Sequence, residues 1–499
     1  MKYLTNLKES IIKHYNKDAF YIDDIAYTYK DFALEISKIR YHIANHVDSS
    51  EKLIGLIAND DIQTYASMIA LWLEGKAYVP VNHFTPIERN IHVFNSTETK
   101  TIIDSSKKSV YTDYNVIASK TLAPTEINLE LKAIAPDAIA YMIFTSGTTG
   151  MPKGVPITHT NLNGIVDAMH TQPDFNLQAS DRCLQMFELT FDFSIATTVF
   201  PLIAGSCIYT IPKNAIKYFY IYKLIKEQNL TVLAMVPSIL NYLRPYFPEI
   251  NAQHVRYCCF GGGALYENIT KEWSNSCIPN AKIFNGYGPT EFTVYSHYYK
   301  YDEHTSNKTL NGIISIGSRL KNTSHLIVDK NNKEVPLNTE GELYLAGLQM
   351  TPGYWKNPER NALSFIDIEK NGETKRYYKT GDLCIEDEDG DFLYIGRVDF
   401  QVKIRGFRVE LAEIEFHAKA ISEKKSNIVA IDITNDLGNS ELGLAFEDEQ
   451  FDTDYIFDYM KAKMPDYMIP RYICFIKEFP LSINGKIDRN TLRTQFIKN

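Results

Sequence analysis

The segment Ile139–Gly154, reading IAYMIFTSGTTGMPKG, holds the densest set of chemically useful groups in the chain. An apolar run enters a loop rich in hydroxyls and glycine that ends on Lys153. Such a loop can aim backbone N–H groups and the hydroxyls of Thr145, Ser146, Thr148 and Thr149 at one polyphosphate. Gly147 and Gly150 allow the close backbone approach this needs. The GxxxxGK[ST] spacing is absent, so the loop is not that of a P-loop kinase or GTPase. Taken alone, the same residues also describe a turn held by its own hydroxyls.

Four further segments join it: Asn285–Glu291 (NGYGPTE), Tyr378–Leu383 (YKTGDL), Gly396–Glu410 (GRVDFQVKIRGFRVE) and Asn484–Arg489 (NGKIDR). With Thr28–Phe32 (TYKDF) and Leu71–Asn82 (LWLEGKAYVPVN), they make the chain resemble the adenylate-forming superfamily. Within it, the likeness is to the amino-acid adenylation domains of nonribosomal peptide synthesis and to the D-alanine carrier-protein ligases. The resemblance implies ATP and Mg²⁺ as cofactors and a substrate carboxylate that attacks the α-phosphate. Both reactants are anionic, so catalysis is chiefly charge neutralisation and positioning. An ionised carboxylate needs no general base.

The resemblance also assigns roles. Thr290 and Glu291 face the α-phosphate, and Glu291 holds the metal. Tyr287, flanked by Asn285, Gly286 and Gly288, stacks beside adenine. Asp382 takes the ribose hydroxyls, a task for an acceptor-only group, with Arg397 close to the same sugar. Lys486 bridges the substrate carboxylate and the phosphate during adenylation, and Lys153 is a mobile phosphate contact. Asp399 is the hinge about which a small C-terminal lid turns, bringing the loop around Arg405–Phe407 toward the incoming thiol.

Asp192, in Phe191–Ser194 (FDFS), stands where amino-acid-activating members keep a carboxylate for the substrate ammonium. A buried carboxylate without such a partner is costly. The other side-chain pocket positions are Phe193, Ala196, Ala234, Cys259, Gly261, Gly286, Val294 and Tyr295. Five of these eight are small, which predicts a roomy pocket and a bulky, even aromatic, substrate unless Phe193 and Tyr295 fold inward. The stretch Asp399–Gln401 and the overall length favour the D-alanine ligases. Cys258–Ala264 (CCFGGGA) opposes them, because those ligases carry a cysteine at the Gly261 position in a Cys-Gly-Glu context.

These residues need a large scaffold, and 499 residues supply several domains. Between Leu53 and Asn285, β-rich runs (Leu53–Ala58, Ala138–Phe144, Thr231–Val236, Val255–Phe260, Lys282–Phe284) alternate with helical spacing (Ile62–Leu73, Asn161–His170, Ala215–Gln228, Leu265–Ser276). The fold class expected from this alternation is α/β with a small β subdomain over Gly312–Gly396; the resemblance implies a large N-terminal body of two α/β sheets with that subdomain, and a small mobile α+β lid. The domain boundaries expected are 1–398 and 399–499. The lid reads strand, helix, strand, strand, helix, strand.

A net charge of −9 opposes nucleic-acid partners and anionic membranes. No apolar run is long enough to insert in a membrane, and residues 1–20 lack a secretory core, so the compartment expected is the cytoplasm. Seven scattered cysteines show no zinc spacing. No carrier-type Asp-Ser-Leu motif follows Arg489, so the phosphopantetheine of an acyl or peptidyl carrier protein is expected to act in trans. The rivals are an acid–CoA ligase, which lacks use for Asp192; a luciferase-like oxygenase; and a nucleotide sensor, which would need neither Glu291 nor Lys486.

Overall fold

The computed structural model describes residues 1–147, 151–302, 307–370, 372–421, 427–481 and 487–496. The chain divides into two compact units. Met1–Asn82, Phe94–Ile143 and Gly154–Val398 make the first, and His83–Val93, Phe144–Lys153 and Asp399–Asn499 the second. Two segments that the sequence reading places in the N-terminal body thus group with the C-terminal residues.

The first unit is built on a nine-stranded sheet. Its central strands Asp18–Ile22, Cys207–Thr210, Arg182–Gln185, Val232–Met235, Tyr257–Phe260 and Lys282–Tyr287 run parallel in that spatial order. Antiparallel strands close both edges, with His297–Tyr301 pairing against Lys282–Tyr287. A second sheet, of six strands, includes Leu53–Ala58 and Ala77–Asn82, whose residues are all buried. Unbroken apolar runs suit strands covered on both faces. A third, antiparallel sheet of five strands is built around Gly341–Gly347 and Glu373–Glu386. The α/β class with a small β subdomain is the architecture observed.

Local chemistry explains the helix limits. Thr28 and Asp31 form a reciprocal cap on Tyr29–His46. Asp61 caps Ile62–Leu73 through the Thr64 N–H. Phe193–Ala204 stops at Gly205, whose φ of 79° is left-handed. One apolar core running from Tyr3 to Tyr378, with Trp72 fully buried in it, joins the helices to the sheets.

In the second unit, the two-stranded hairpin Gln401–Ile404 and Phe407–Glu410 precedes helix Leu411–Ile421. A three-stranded sheet (Ile428–Thr434, Ser440–Phe446, Tyr472–Phe475) and helices Asp454–Lys463 and Arg489–Phe496 complete it. The expected order lacked the second hairpin strand and the last helix.

Candidate active site

Strand register assembles the pocket floor. Ala234 lies directly across from Cys259, and Cys259 from Phe284, one residue before Asn285. The chain leaves the last two of these strands at Gly261 and at Gly288, the carboxyl ends of parallel strands where α/β sheets place ligands. A Cβ added to Gly261 would come within 3.2 Å of both the Gly286 carbonyl oxygen and Phe193 Cε1. One added to Gly288 would lie 2.4 Å from the Val294 carbonyl oxygen, so only glycine fits there.

Asp192, 6% exposed, precedes helix Phe193–Ala204. Burial, followed by the Asp192 charge, pushes up the pKa of the Tyr141 hydroxyl, and burial, then Cys259, then Asp192 that of Tyr295. The fully buried Tyr141 hydroxyl has no hydrogen-bond partner among the described residues. Asp192, Phe193, Ala196, Ala234, Cys259, Gly261, Gly286, Val294 and Tyr295 therefore share one region of the first unit.

Phe193 and Tyr295 take the inward direction named above as the exception to a roomy pocket. Tyr295 lies over Gly286, where an added Cβ would be 2.3 Å from its Cε1. Phe193 meets Tyr295 edge to face at 5.2 Å between centroids. The two rings lie against Gly286 and Gly261 and cover the floor there.

Asp382 faces Arg397 across neighbouring strands. Arg397 Nη1 donates to Oδ1 at 2.6 Å and the Tyr287 hydroxyl donates to Oδ2 at 2.5 Å. Burial, followed by the Asp382 charge, holds the Tyr287 pKa well above the ordinary tyrosine value, so this hydroxyl stays a donor. The Asn285 side chain donates to the carbonyls of Ser315 and Ile314, which makes it a brace for the strand. Glu291 is fully buried and accepts a 2.6 Å bond from Tyr354. Thr290 opens the short 3₁₀ turn Thr290–Phe292.

The remaining assigned groups lie in the second unit. Ser146 Oγ donates to the Arg408 carbonyl and accepts from the Glu410 N–H. The Gly147 N–H donates to Glu413 Oε2 at 3.0 Å, while Arg89 donates to Glu413 Oε1 at 2.7 Å. Lys153, expected to be mobile, is 7% exposed with Glu410 Oε1 3.8 Å away. The Thr145 hydroxyl is buried without a partner among the described residues. Asp399 accepts from the Gln401 N–H. Thr148, Thr149, Gly150 and Lys486 lie outside the described residues.

The sequence reading missed Tyr141, Tyr354 and Glu413. A lone tyrosine in a strand and a glutamate in a helix carry no local mark of function.

A family model described as "AMP-binding enzyme" matches residues 7–355. The chain belongs to that family. It is 29% identical over 479 residues to tyrocidine synthase 3 of Brevibacillus parabrevis, covering 94% of this chain and 7% of that protein. The chain spans less than half the length of the curated relatives it matches. Among solved structures, holo-PA1221, an NRPS protein containing adenylation and PCP domains, superposes with a TM-score of 0.86 at 22% identity, covering 98% of this chain and 83% of that one. The adenylation domain AlmE of Vibrio cholerae, solved with glycyl-adenosine-5'-phosphate, gives 0.85 at 21% identity, covering 99% and 97%. The resemblance to the adenylate-forming superfamily and its nonribosomal adenylation branch holds.

Proposed function

We propose that this AMP-binding enzyme joins an α-amino acid to AMP and passes the aminoacyl group to the phosphopantetheine thiol of a separate carrier protein. The observation that supports it most is Asp192, a buried carboxylate next to Phe193 whose charge acts on the buried Tyr141 and Tyr295 hydroxyls. An ammonium is the partner such a group favours. A simple carboxylic acid would bring none.

In this reading the ribose hydroxyls donate to Asp382, held in place by Tyr287 and Arg397. The substrate carboxylate then attacks the α-phosphorus, and the bond to the bridging oxygen of pyrophosphate breaks. Lys486 neutralises charge on the two reacting anions. Magnesium suits the donor chemistry near them. The Glu291 carboxylate and Thr290 hydroxyl are hard oxygen donors, and no cluster of three His, Cys, Asp or Glu among the described residues forms an all-protein cage, so phosphate and water would complete the shell. Bound there, the ion offsets phosphate charge. For thioester formation Asp399 serves as the pivot.

Substrate-dependent ATP–pyrophosphate exchange tests the reading with matched pairs, glycine against acetate and alanine against propionate. Exchange is expected only with the amino acids, and exchange only with the acids would overturn it. Lys486→Ala is expected to abolish exchange while leaving ATP binding largely intact, and near-normal exchange would remove Lys486 from the mechanism. Loading of a separately added carrier checks the second half-reaction.

A further inference from the structure

The pocket described above is closed by two rings, and the backbone that carries one of them is locked. Tyr295 follows Thr293 and Val294, whose φ angles are 53° and 72°. Two consecutive β-branched residues in the left-handed region are strained, and such a turn persists only where its surroundings enforce it. Here they do. Gln349 Nε2 donates to the Tyr295 carbonyl at 2.6 Å, Thr293 Oγ1 donates to the Gln349 carbonyl at 2.6 Å, and the Ser296 N–H donates to the Tyr287 carbonyl at 2.7 Å. Phe193 is held from behind by Phe187, 4.3 Å between centroids. Tyr295 is backed by Tyr298, whose hydroxyl contacts Cys259 Sγ at 3.3 Å.

A cavity lies against the same two rings. It measures about 30 Å³ and is lined by Phe193, Tyr295, Ala196, Ala234 and Cys259 among others, but not by Asp192, Gly261 or Gly286. That is room for about two or three water molecules. Both rings are almost fully buried.

We infer that the substrate side chain is a hydrogen or a methyl group, so that glycine or alanine of either hand is the amino acid activated, and that Phe193 and Tyr295 set this limit by covering the floor between Asp192 and that cavity. The inference rests on the amino-acid-activating reading above and narrows it. It replaces the bulky substrate that residue sizes alone suggest, because ring direction outweighs the count of small residues.

The test is ATP–pyrophosphate exchange with glycine, L-alanine, D-alanine, valine, leucine and phenylalanine. For the native protein, kcat/KM is expected to be at least about 100-fold higher for the best of the first three than for leucine or phenylalanine. Phe193→Ala joins the floor to the cavity that Phe193 lines, and the leucine-to-glycine ratio of kcat/KM is expected to rise at least about tenfold. Native exchange that favours leucine or phenylalanine overturns the size limit while leaving amino-acid activation standing. Exchange with no amino acid overturns the activation reading and the limit with it. Phe193→Ala that folds but keeps the native ratio removes Phe193 from the role. Should that variant fail to fold, thermal stabilisation of the native protein by glycyl- against leucyl-sulfamoyl adenosine decides the matter: a larger shift with the glycyl analogue is expected, and a larger shift with the leucyl analogue contradicts it.

Discussion

Replacing Asp382 by asparagine is expected to weaken sharply the protein's discrimination between ATP and its deoxyribose analogues. A carboxylate offers roughly four acceptor positions. Arg397 takes one at 2.6 Å and Tyr287 another at 2.5 Å, which leaves about two, the number a ribose diol needs. Each bond from a ribose hydroxyl to this charged acceptor contributes about 1.5 to 3 kcal/mol. Loss of one hydroxyl should therefore weaken binding to the native protein by about 10- to 150-fold. In Asp382→Asn the acceptor is neutral, each bond falls to about 0.5 to 1.5 kcal/mol, and the penalty shrinks to about 2- to 10-fold. Asparagine keeps the side-chain volume and an oxygen for Arg397, which alanine would leave buried without a counter-charge. Calorimetric titration of both proteins with ATP, 2′-deoxy-ATP and 3′-deoxy-ATP reads the coupling directly. Equal deoxy penalties in the two proteins would refute the assignment of Asp382 to the ribose.

Three further outcomes follow from the packing. Gly286→Ala drives a methyl into the Tyr295 ring and Gly288→Ala drives one into the Val294 carbonyl, so both should reduce exchange; adding Tyr295→Ala should restore the first and not the second, because only the first obstacle is a side chain. Burial, followed by the Glu188 charge, raises the Asp60 carboxyl to about 7 from its ordinary value of 3.8. The folded state therefore holds a proton that the unfolded state releases between about pH 4 and 7, and Asp60 costs progressively more stability as pH rises through that window. Asp60→Asn is expected to gain on the native protein over the same range, by about 4 kcal/mol at most above about pH 7, and a melting-temperature difference that does not grow with pH would contradict it. Arg89→Ala leaves the fully buried Glu413 without its guanidinium, 2.7 Å away in the native protein, and should destabilise the second unit by about 3 kcal/mol, read as earlier protease cleavage after Asp399.

Periodicity and capping made much of the scaffold legible. Leu53–Ala58 and Ile62–Leu73 have the limits read from sequence, because an unbroken apolar run and an Asp61 cap define them locally. Lys282–Tyr287 runs three residues past the expected end, since Asn285-Gly286-Tyr287 is held in the sheet by pairing with Tyr299, Tyr298 and His297, a long-range cause that overrides weak strand propensity. The helix Arg489–Phe496 was missed because it is short and only Leu492 and Phe496 are apolar in it; Leu492 alone is fully buried. The hairpin Gln401–Glu410 turns at Arg405 and Gly406, both at positive φ, inside a motif read for its chemistry rather than its shape.

The site divides in the same way. Motifs name the pocket positions proposed here, but they do not give the direction of the rings. Whether Phe193 and Tyr295 point in or out depends on a strained turn at Thr293–Val294 and on Gln349, more than fifty residues away in the chain. Neither leaves a mark on composition. Likewise the grouping of Ser146 and Gly147 with Glu410 and Glu413 rests on contacts more than two hundred residues apart in sequence.

The most direct measurement of the central claim is to incubate the protein with ATP, Mg²⁺ and an equimolar mixture of the common amino acids, D-alanine, acetate and propionate, and to identify the adenylate formed by mass spectrometry. Glycyl- or alanyl-AMP is expected. An adenylate lacking the amino group, one carrying a large side chain, or none at all would contradict it.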